Sequence, residues 1–278
     1  MGRIYNCVGR YAGTAYTIKN TWIRVYCVEE LCYYICNNSY LLEDEFVSNE
    51  LITWLEEECN LPMLVRRIRT QLRQNSRLEA FVRVILEELH YCSEEEIVTI
   101  EQMILANQSK TSVEKTKVLA DYFLKNRRYA LALKTYGELL DEYEKQLNFA
   151  TRASVYYQIG VIYANLFLFE QAADHFKLAY STYEREDYKT AYLAVNRLIL
   201  SDDAYLKFIS TVPDAYESTV VLEERLEQTL SEWKYSEEYR KQRGTEQLKA
   251  EGSIAEFCHT MDLDTELYKN EYRCFMAE

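Results

Sequence analysis

The sequence predicts a mainly α fold: a solenoid of stacked helical hairpins, preceded by an amino-terminal helical module that carries at most a small β ribbon. Three observations carry this expectation. Only 2 prolines and 7 glycines occur in 278 residues, a composition that favours long helices and few sharp turns. Apolar residues recur at i, i+3, i+4 and i+7 through most of the chain, which is the signature of one buried helical face. The third observation is an internal repeat. Leu119-Ala120-x2-Phe123 followed by Ala132-x3-Tyr136 recurs as Ile159-Gly160-x2-Tyr163 followed by Ala172-x3-Phe176, and each of the pairs 120/160, 123/163, 132/172 and 136/176 is 40 residues apart. A hairpin of this kind cannot bury its apolar face alone, so the repeat implies stacked neighbours.

Composition narrows the functional classes. The net charge of −13 is the wrong sign for a nucleic-acid binder, which needs a basic footprint, and for an anionic membrane surface. No 18-residue apolar run and no charged-then-apolar amino terminus is found, so a membrane-spanning or secreted chain is not expected. The 8 cysteines are scattered through helical stretches, as small buried hydrophobes are in a reducing cytoplasm. The 25 tyrosines suit both helix packing and binding surfaces.

The amino-terminal module spans 1–106. Tyr16–Tyr26 alternates partly, with Ile23 and Val25 on one side, and is the best strand candidate. Its expected partner is Ile4–Val8, a ribbon within 4–26. Cys27-Val28-Glu29-Glu30 opens a helix with Leu31, Tyr34 and Ile35 inward, its acids at the positive end of the dipole. Cys32 and Cys36 share a face. They could be half a metal site or a redox pair, but no second pair or nearby histidine completes the spacing, so packing is favoured. Asn49–Glu58 reads as a helix with Leu51, Trp54 and Leu55 inward. Pro62–Gln74 and Arg77–Tyr91 follow, Pro62 suiting a first helical position. Ser93-Glu94-Glu95-Glu96 is a capping-box start for a helix carrying Ile97, Ile100, Ile104 and Leu105. The arginines between Arg66 and Arg83 could present a surface to an acidic or phosphorylated partner. The favoured reading is a solvated face that pairs with the acids of Glu43–Glu58.

The repeats span 113–210 after the polar boundary Asn107–Thr111. Tyr156-x2-Ile159-Gly160-x2-Tyr163 with Ala172-x3-Phe176 resembles the tetratricopeptide repeat, one aromatic substituted for another. Gly160 and Ala172 lack bulk, so two helices can approach closely, and Phe176 and Ala179 continue the buried stripe. Thr116 replaces the leading aromatic in the first copy. The family's period is about 34 residues; the extra length here is expected as longer helices through Tyr143–Arg152. Tyr188–Leu200 and Asp203–Ser210 form a degenerate third hairpin, as terminal repeats often do. Thr211-Val212-Pro213 then starts the tail, 213–278: a long helix with Leu222, Leu226, Leu230 and Trp233 on one face, weak at Gly244, then two short amphipathic helices ending near Met276.

The resemblance implies that the first helix of each hairpin lines a concave binding side. That places Glu114, Lys117, Asp121 and Lys125 from the first copy, and Tyr157, Val161 and Asn165 from the second, on the groove. Tyr157 is expected to be exposed and Tyr156 to be core. Family members that bind chaperone tails hold a carboxylate with a Lys and Asn pair. Lys117 matches the lysine, but Asp121 stands in the asparagine's place and would repel a carboxylate, so a partner of mixed charge is expected. His90, His175 and His259 have helical contexts without a metal or catalytic motif, and no phosphate loop or nucleophile elbow occurs. The expectation is therefore a non-catalytic cytoplasmic scaffold with no cofactor and no metal, binding a protein or peptide. Self-association through the carboxyl-terminal helices is a further option for it. A peptide-controlled regulator with the layout of bacterial peptide-sensing receptors, and an enzyme on a helical scaffold, are the alternatives.

Overall fold

The chain is mainly α. The computed structural model describes residues 8–74 and 77–276. Two units divide it, the first extending to Leu119 and the second beginning at Ala120.

In the first unit, β1 (Tyr16–Ile18) and β2 (Ile23–Val25) pair antiparallel, with Tyr16 opposite Val25 and Ile18 opposite Ile23. The stretch read as one strand is thus a hairpin in itself. The chain reverses at Lys19–Trp22, where Trp22 takes a left-handed φ of 56° and its amide donates to Ile18 O. Most of the expected partner, 4–7, lies outside the described residues. Helix α1 (Val28–Asn38) follows. Next, α2 (Asn49–Thr53) is capped by Ser48 and runs on as a π turn over Trp54–Glu58. The wide turn closes with Cys59 N donating to Trp54 O, and Asn60 at φ 56° ends it. Leu51, Trp54 and Leu55 are all buried, and the Trp54 indole donates to Thr14 O at 2.8 Å. Helices α3 (Pro62–Gln74), α4 (Leu78–Glu88) and α5 (Glu94–Gln108) complete the unit. The capping box forms, with Ser93 accepting from the Glu96 amide and Glu96 accepting from the Ser93 amide. One core joins hairpin and helices around Ile18, Leu31, Ile35, Leu55, Ile68 and Phe81.

Arg67, Arg69, Arg77 and Arg83 pair within this unit. Arg69 reaches Glu56 of the acidic block at 2.6 Å, and Arg67 pairs with Glu88. Arg83 holds three carboxylates: Glu101 at 2.7 Å from both Nε and Nη2 along one guanidinium edge, and Glu94 at 2.6 Å and Glu87 at 3.0 Å from Nη1. Cys32 is fully buried, while Cys36 Sγ meets Cys92 Sγ at 3.1 Å, a pairing that a sequence separation of 56 conceals. Burial pushes the Cys36 thiol up, and the hydrogen bond to Cys92 adds to it. An anaerobic titration of the unfolded chain should count all 8 cysteines as thiols; a count of six or fewer would show that some are oxidised.

Helix α6 (Ser112–Lys125) leads from the first unit into the second. The second unit continues with α7 (Tyr129–Glu142), α8 (Phe149–Asn165), α9 (Phe169–Thr182), α10 (Glu186–Ile199) and α11 (Asp202–Ile209). The sequence repeat is a repeat in geometry. In the α6–α7 turn Arg127 has φ 56° and Arg128 N donates to Phe123 O; in the α8–α9 turn Phe167 has φ 60° and Leu168 N donates to Tyr163 O. These six-residue closures around a left-handed residue are Schellman ends, and their residues match at the same offset as the core. Ala120, Ala132, Tyr136, Ala172 and Phe176 are buried as the pattern required. Gly160 faces Phe176: a Cβ there would lie 2.7 Å from two of its ring carbons. The extra length over the family period lies mainly in the irregular segment Tyr143–Asn148 between α7 and α8, not in longer helices, because α7 stops at Glu142 and Asn148 caps α8.

In the tail, Pro213 and the left-handed Asp214 precede α12 (Ala215–Trp233), whose Ala215 and Leu222 pack with Leu193 of α10. Here the expectation is corrected. The long helix breaks at Lys234–Ser236, because Ser236 caps a new helix, α13 (Glu237–Ala250), by accepting from the Tyr239 amide. Gly244 sits inside α13 without breaking it. After Gly252, at φ 80°, the remainder is a single helix, α14 (Ile254–Met276), rather than two short ones.

Lys189 is buried, with Nζ 2.9 Å from Glu186 and donating to Asp214 O at 3.2 Å, and Ser218 donates to the same Glu186. The pair shifts both groups. Lys189 lies above its ordinary 10.5 through its hydrogen bond to Glu186, and Glu186 lies below 4.5 through Lys189 and then Ser218. A lowered carboxyl contributes stability above its unfolded pKa and loses it as pH falls through the folded value. A raised amine contributes below its unfolded pKa and loses it as pH rises through the folded value. This pair alone would leave urea midpoints flat between, and lower them below about 4.5 and above about 10.5, while the raised thiols and phenols, Cys36 and Tyr157 among them, bring the alkaline fall in from about 9. Lys189→Met should make the alkaline fall shallower without abolishing it.

Candidate interaction surface

The candidate surface is built on the second unit's hairpins. Helix α8 packs on α9, and α10 packs on α9 in turn. Ala172, Phe176 and Val195 form one cluster with Tyr157, Val161, Ala164 and Tyr192 against it, and Ala153, Ala179 and Tyr188 form a second with Tyr156 and Tyr157. Small residues at 153, 160, 172 and 179 let the three backbones approach, and aromatic rings fill the seams.

This packing corrects the expected position of Tyr157. It is half-buried. Its ring stacks on Tyr188 at 4.9 Å and lies 5.4 Å from Phe176, while the Arg185 guanidinium sits 4.8 Å from the Tyr188 ring centroid. Burial pushes the Tyr157 phenol up, with the nearby Asp187 carboxylate adding to it. Tyr156, expected in the core, is half-buried too. Val161 and Asn165 keep the side of helix α8 expected for them, but Tyr157 is turned into the seam with α9 and α10. The partly open side of α8 carries Ser154, Gln158, Val161 and Asn165, of which Asn165 is exposed and donates to the Val161 carbonyl of its own helix. Ala153 and Gly160 held the missing signal: they mark the packed side, and Gln158 lies away from it. Tyr157→Ala should cost about 2 kcal/mol, less than a fully buried aromatic. A double-mutant cycle with Tyr188→Ala in urea should give a coupling of about 0.5–1.5 kcal/mol.

The residues expected from the first copy divide between the units. Glu114 and Lys117 belong to the first and Asp121 and Lys125 to the second. Glu114 closes the cap of α6: it accepts from the Thr111 amide at 2.8 Å and from its hydroxyl at 2.9 Å, and these bonds hold its carboxyl below the usual range. Lys117 is half-buried and Lys125 exposed. Asp121 accepts from the Tyr136 hydroxyl at 2.6 Å. Its carboxylate therefore ties α6 to α7, which explains an aspartate at a position where the family's carboxylate binders carry asparagine. The Tyr136 phenol is driven strongly up, by burial first and then by Asp121.

Among the described residues no cluster of three or more His, Cys, Asp or Glu side chains is placed to hold a metal ion. His175 Nδ1 lies 2.8 Å from Gln171 O, and its ring packs 5.1 Å from Tyr163. No helix among the described residues is long and apolar enough to cross a membrane.

No family model matches the chain. No curated protein matches it either. Among solved structures, "MamA RS-1 ArsTM double mutant" is similar over 72% of this chain and 97% of that one, at 14% identity and a TM-score of 0.33. "MamA AMB-1 P212121" is similar over 70% and 93%, at 15% identity and a TM-score of 0.32. Overlap of that extent leaves the fold to be read from the helices themselves.

Proposed function

We propose that the chain is a non-catalytic interaction scaffold whose stacked hairpins hold a segment of a protein or peptide along α8. One observation carries this reading: the hairpins repeat in sequence and in turn geometry, and α8 keeps a partly open side after its other sides are packed. Gln158 and Asn165 bring amide donors and acceptors of the kind that bond an extended backbone, and Val161 supplies an apolar contact between them. Lys125 and Asn165 hold equivalent places in the two copies, so a segment following the repeat would meet a cation and then an amide. Tyr157 and Tyr188 act beneath this surface as a rigid floor.

The test is a photo-reactive phenylalanine analogue placed at Gln158 in cells that make the chain. A discrete protein or peptide adduct at 158, absent when the analogue sits at the exposed Lys177 of α9, supports the reading. No adduct at 158, or the same adducts from both positions, overturns it.

A further inference from the structure

Helix α14 is the longest in the tail, and none of its residues is buried. It is nonetheless patterned. Ile254, Met261, Tyr268 and Phe275 recur every seven residues, and Cys258, Thr265 and Tyr272 recur every seven residues four places later. That is an a/d stripe over three heptads, the repeat that brings two helices together side by side.

The stripe is not the face by which α14 packs on its own chain. That face carries Asp264, which pairs with Lys241 of α13, and Glu271, 3.9 Å from Arg127; Phe257 meets Lys249. Phe275 serves both, its ring lying 5.2 Å from Tyr129. The stripe stands beside this face with Ile254, Met261, Tyr268 and Tyr272 44–66% exposed. It borders two open clefts of about 750 and 760 Å³, which share Thr265 and Tyr268. At the rim of the first is Phe167, held in a left-handed turn with its ring 79% exposed. At the rim of the second is Trp233. Neither backbone preference nor burial within the chain accounts for an aromatic ring at 167.

We propose that two copies of this chain associate through α14, stripe against stripe about a two-fold axis. Three arguments select a second copy as the occupant. A heptad stripe is met by a helix bearing another, and α14 supplies one to its twin; an isologous contact needs no other surface. The flanks favour it too. In a chain of net charge −13, the positions beside the stripe are Ala255, Asp262 and Lys269 on one edge and Phe257, Asp264 and Glu271 on the other; Asp262 and Lys269 offset each other, and Asp264 and Glu271 already meet Lys241 and Arg127 of their own chain, so like-charge repulsion is small where the copies meet. Area is the third argument. Aromatic side chains bury roughly 150–250 Å² each, so the exposed parts of Tyr268, Tyr272, Phe167 and Trp233, with the aliphatic positions, bring the patch to on the order of 800 Å² per copy, the size a stable pair requires.

This surface meets the open side of α8 at Asn165, which lines the first cleft, but the stripe variants leave Gln158 and Val161 untouched, so a failure here can be told from a failure of the proposed function at Gln158. The experiment is sedimentation equilibrium of the reduced full chain from about 1 to 100 µM, a range chosen because interfaces of standard size bind at micromolar strength or better. The wild type should sediment as a dimer with a dissociation constant of about 10 µM or less. Tyr268→Lys and Met261→Lys change exposed residues and should keep the wild-type circular dichroism, yet each should weaken the dimer at least 30-fold, as loss of a hot spot does. Leu263→Lys, 60% exposed but off the stripe, should leave it within about threefold, as surface positions away from a contact do. A wild type that is monomeric at 100 µM overturns the proposal. So does a dimer that both stripe variants leave intact, or one that Leu263→Lys dissociates as strongly as they do.

Discussion

Gly160→Ala should destabilise the second unit by about 1–3 kcal/mol, and Gly160→Leu by about 3 kcal/mol or more, at the top of the range for overpacked cores. Helix propensity alone predicts the opposite for alanine, a gain of about 1 kcal/mol. Packing decides the sign. The added Cβ would lie 2.7 Å from Cδ1 and Cε1 of Phe176 and 3.2 Å from Cγ. The ring has little room to yield, being 4% exposed with Tyr157 beside it at 5.4 Å and Val195 of α10 in the same buried cluster. Gly137 of α7 is the internal control, because a Cβ there meets nothing within 4 Å. Gly137→Ala should therefore stabilise by about 0.5–1 kcal/mol. Urea midpoints of the two alanine variants should move in opposite directions, and trimming the ring in Gly160→Ala/Phe176→Leu should recover part of the loss. A rise in midpoint for Gly160→Ala would show a wider α8–α9 crossing than the structure has.

Arg83→Met should cost the first unit about 3 kcal/mol, near the lower end for breaking a buried ion pair, because the site keeps some access to solvent. The arginine side chain is 27% exposed and that of Glu101 20%. Without the guanidinium, Glu94 and Glu101 lose their shared cation, and Glu87 keeps Arg67 at 3.9 Å. The bidentate contact to Glu101 is the strongest of the three on geometry, and it ties α4 to α5. Neutralising the partner as well, in Arg83→Met/Glu101→Gln, should return part of the loss. A coupling below about 0.5 kcal/mol in that cycle, the level of exposed pairs, would reduce Arg83 to a surface residue.

The repeat was the most legible part of the chain because its signal is steric. Alanine and glycine at 120, 132, 160 and 172 admit a neighbouring helix wherever they occur, so the hairpins could be placed from spacing alone. Rotation about the helix axis was not legible to the same degree. Tyr156 and Tyr157 are chemically identical and adjacent, and spacing could not show that both would be half-buried, with Tyr157 stacked on Tyr188 of α10. Asp121 misled for a related reason. A carboxylate on a first helix reads as surface until the Tyr136 hydroxyl is found beside it. Long-range pairs were out of reach altogether: Cys36 with Cys92, Arg83 with Glu101 and Lys189 with Asp214 depend on the tertiary path. In the tail, composition misdirected. Gly244 lies within a helix, and the break falls at Ser236, whose hydroxyl offers a cap.

The irregular segment Tyr143–Asn148 has a consequence for how such a chain can change over generations. Because the surplus over the usual period sits mainly between hairpins, its length is nearly decoupled from helix packing. Closing a longer loop costs only about 0.6 kcal/mol per doubling. Insertions there, or a tag or reporter domain spliced between Glu144 and Lys145, should be tolerated while the same addition inside α8 would throw Gly160 out of register with Phe176. New appendages can thus be acquired at this joint without renegotiating the core.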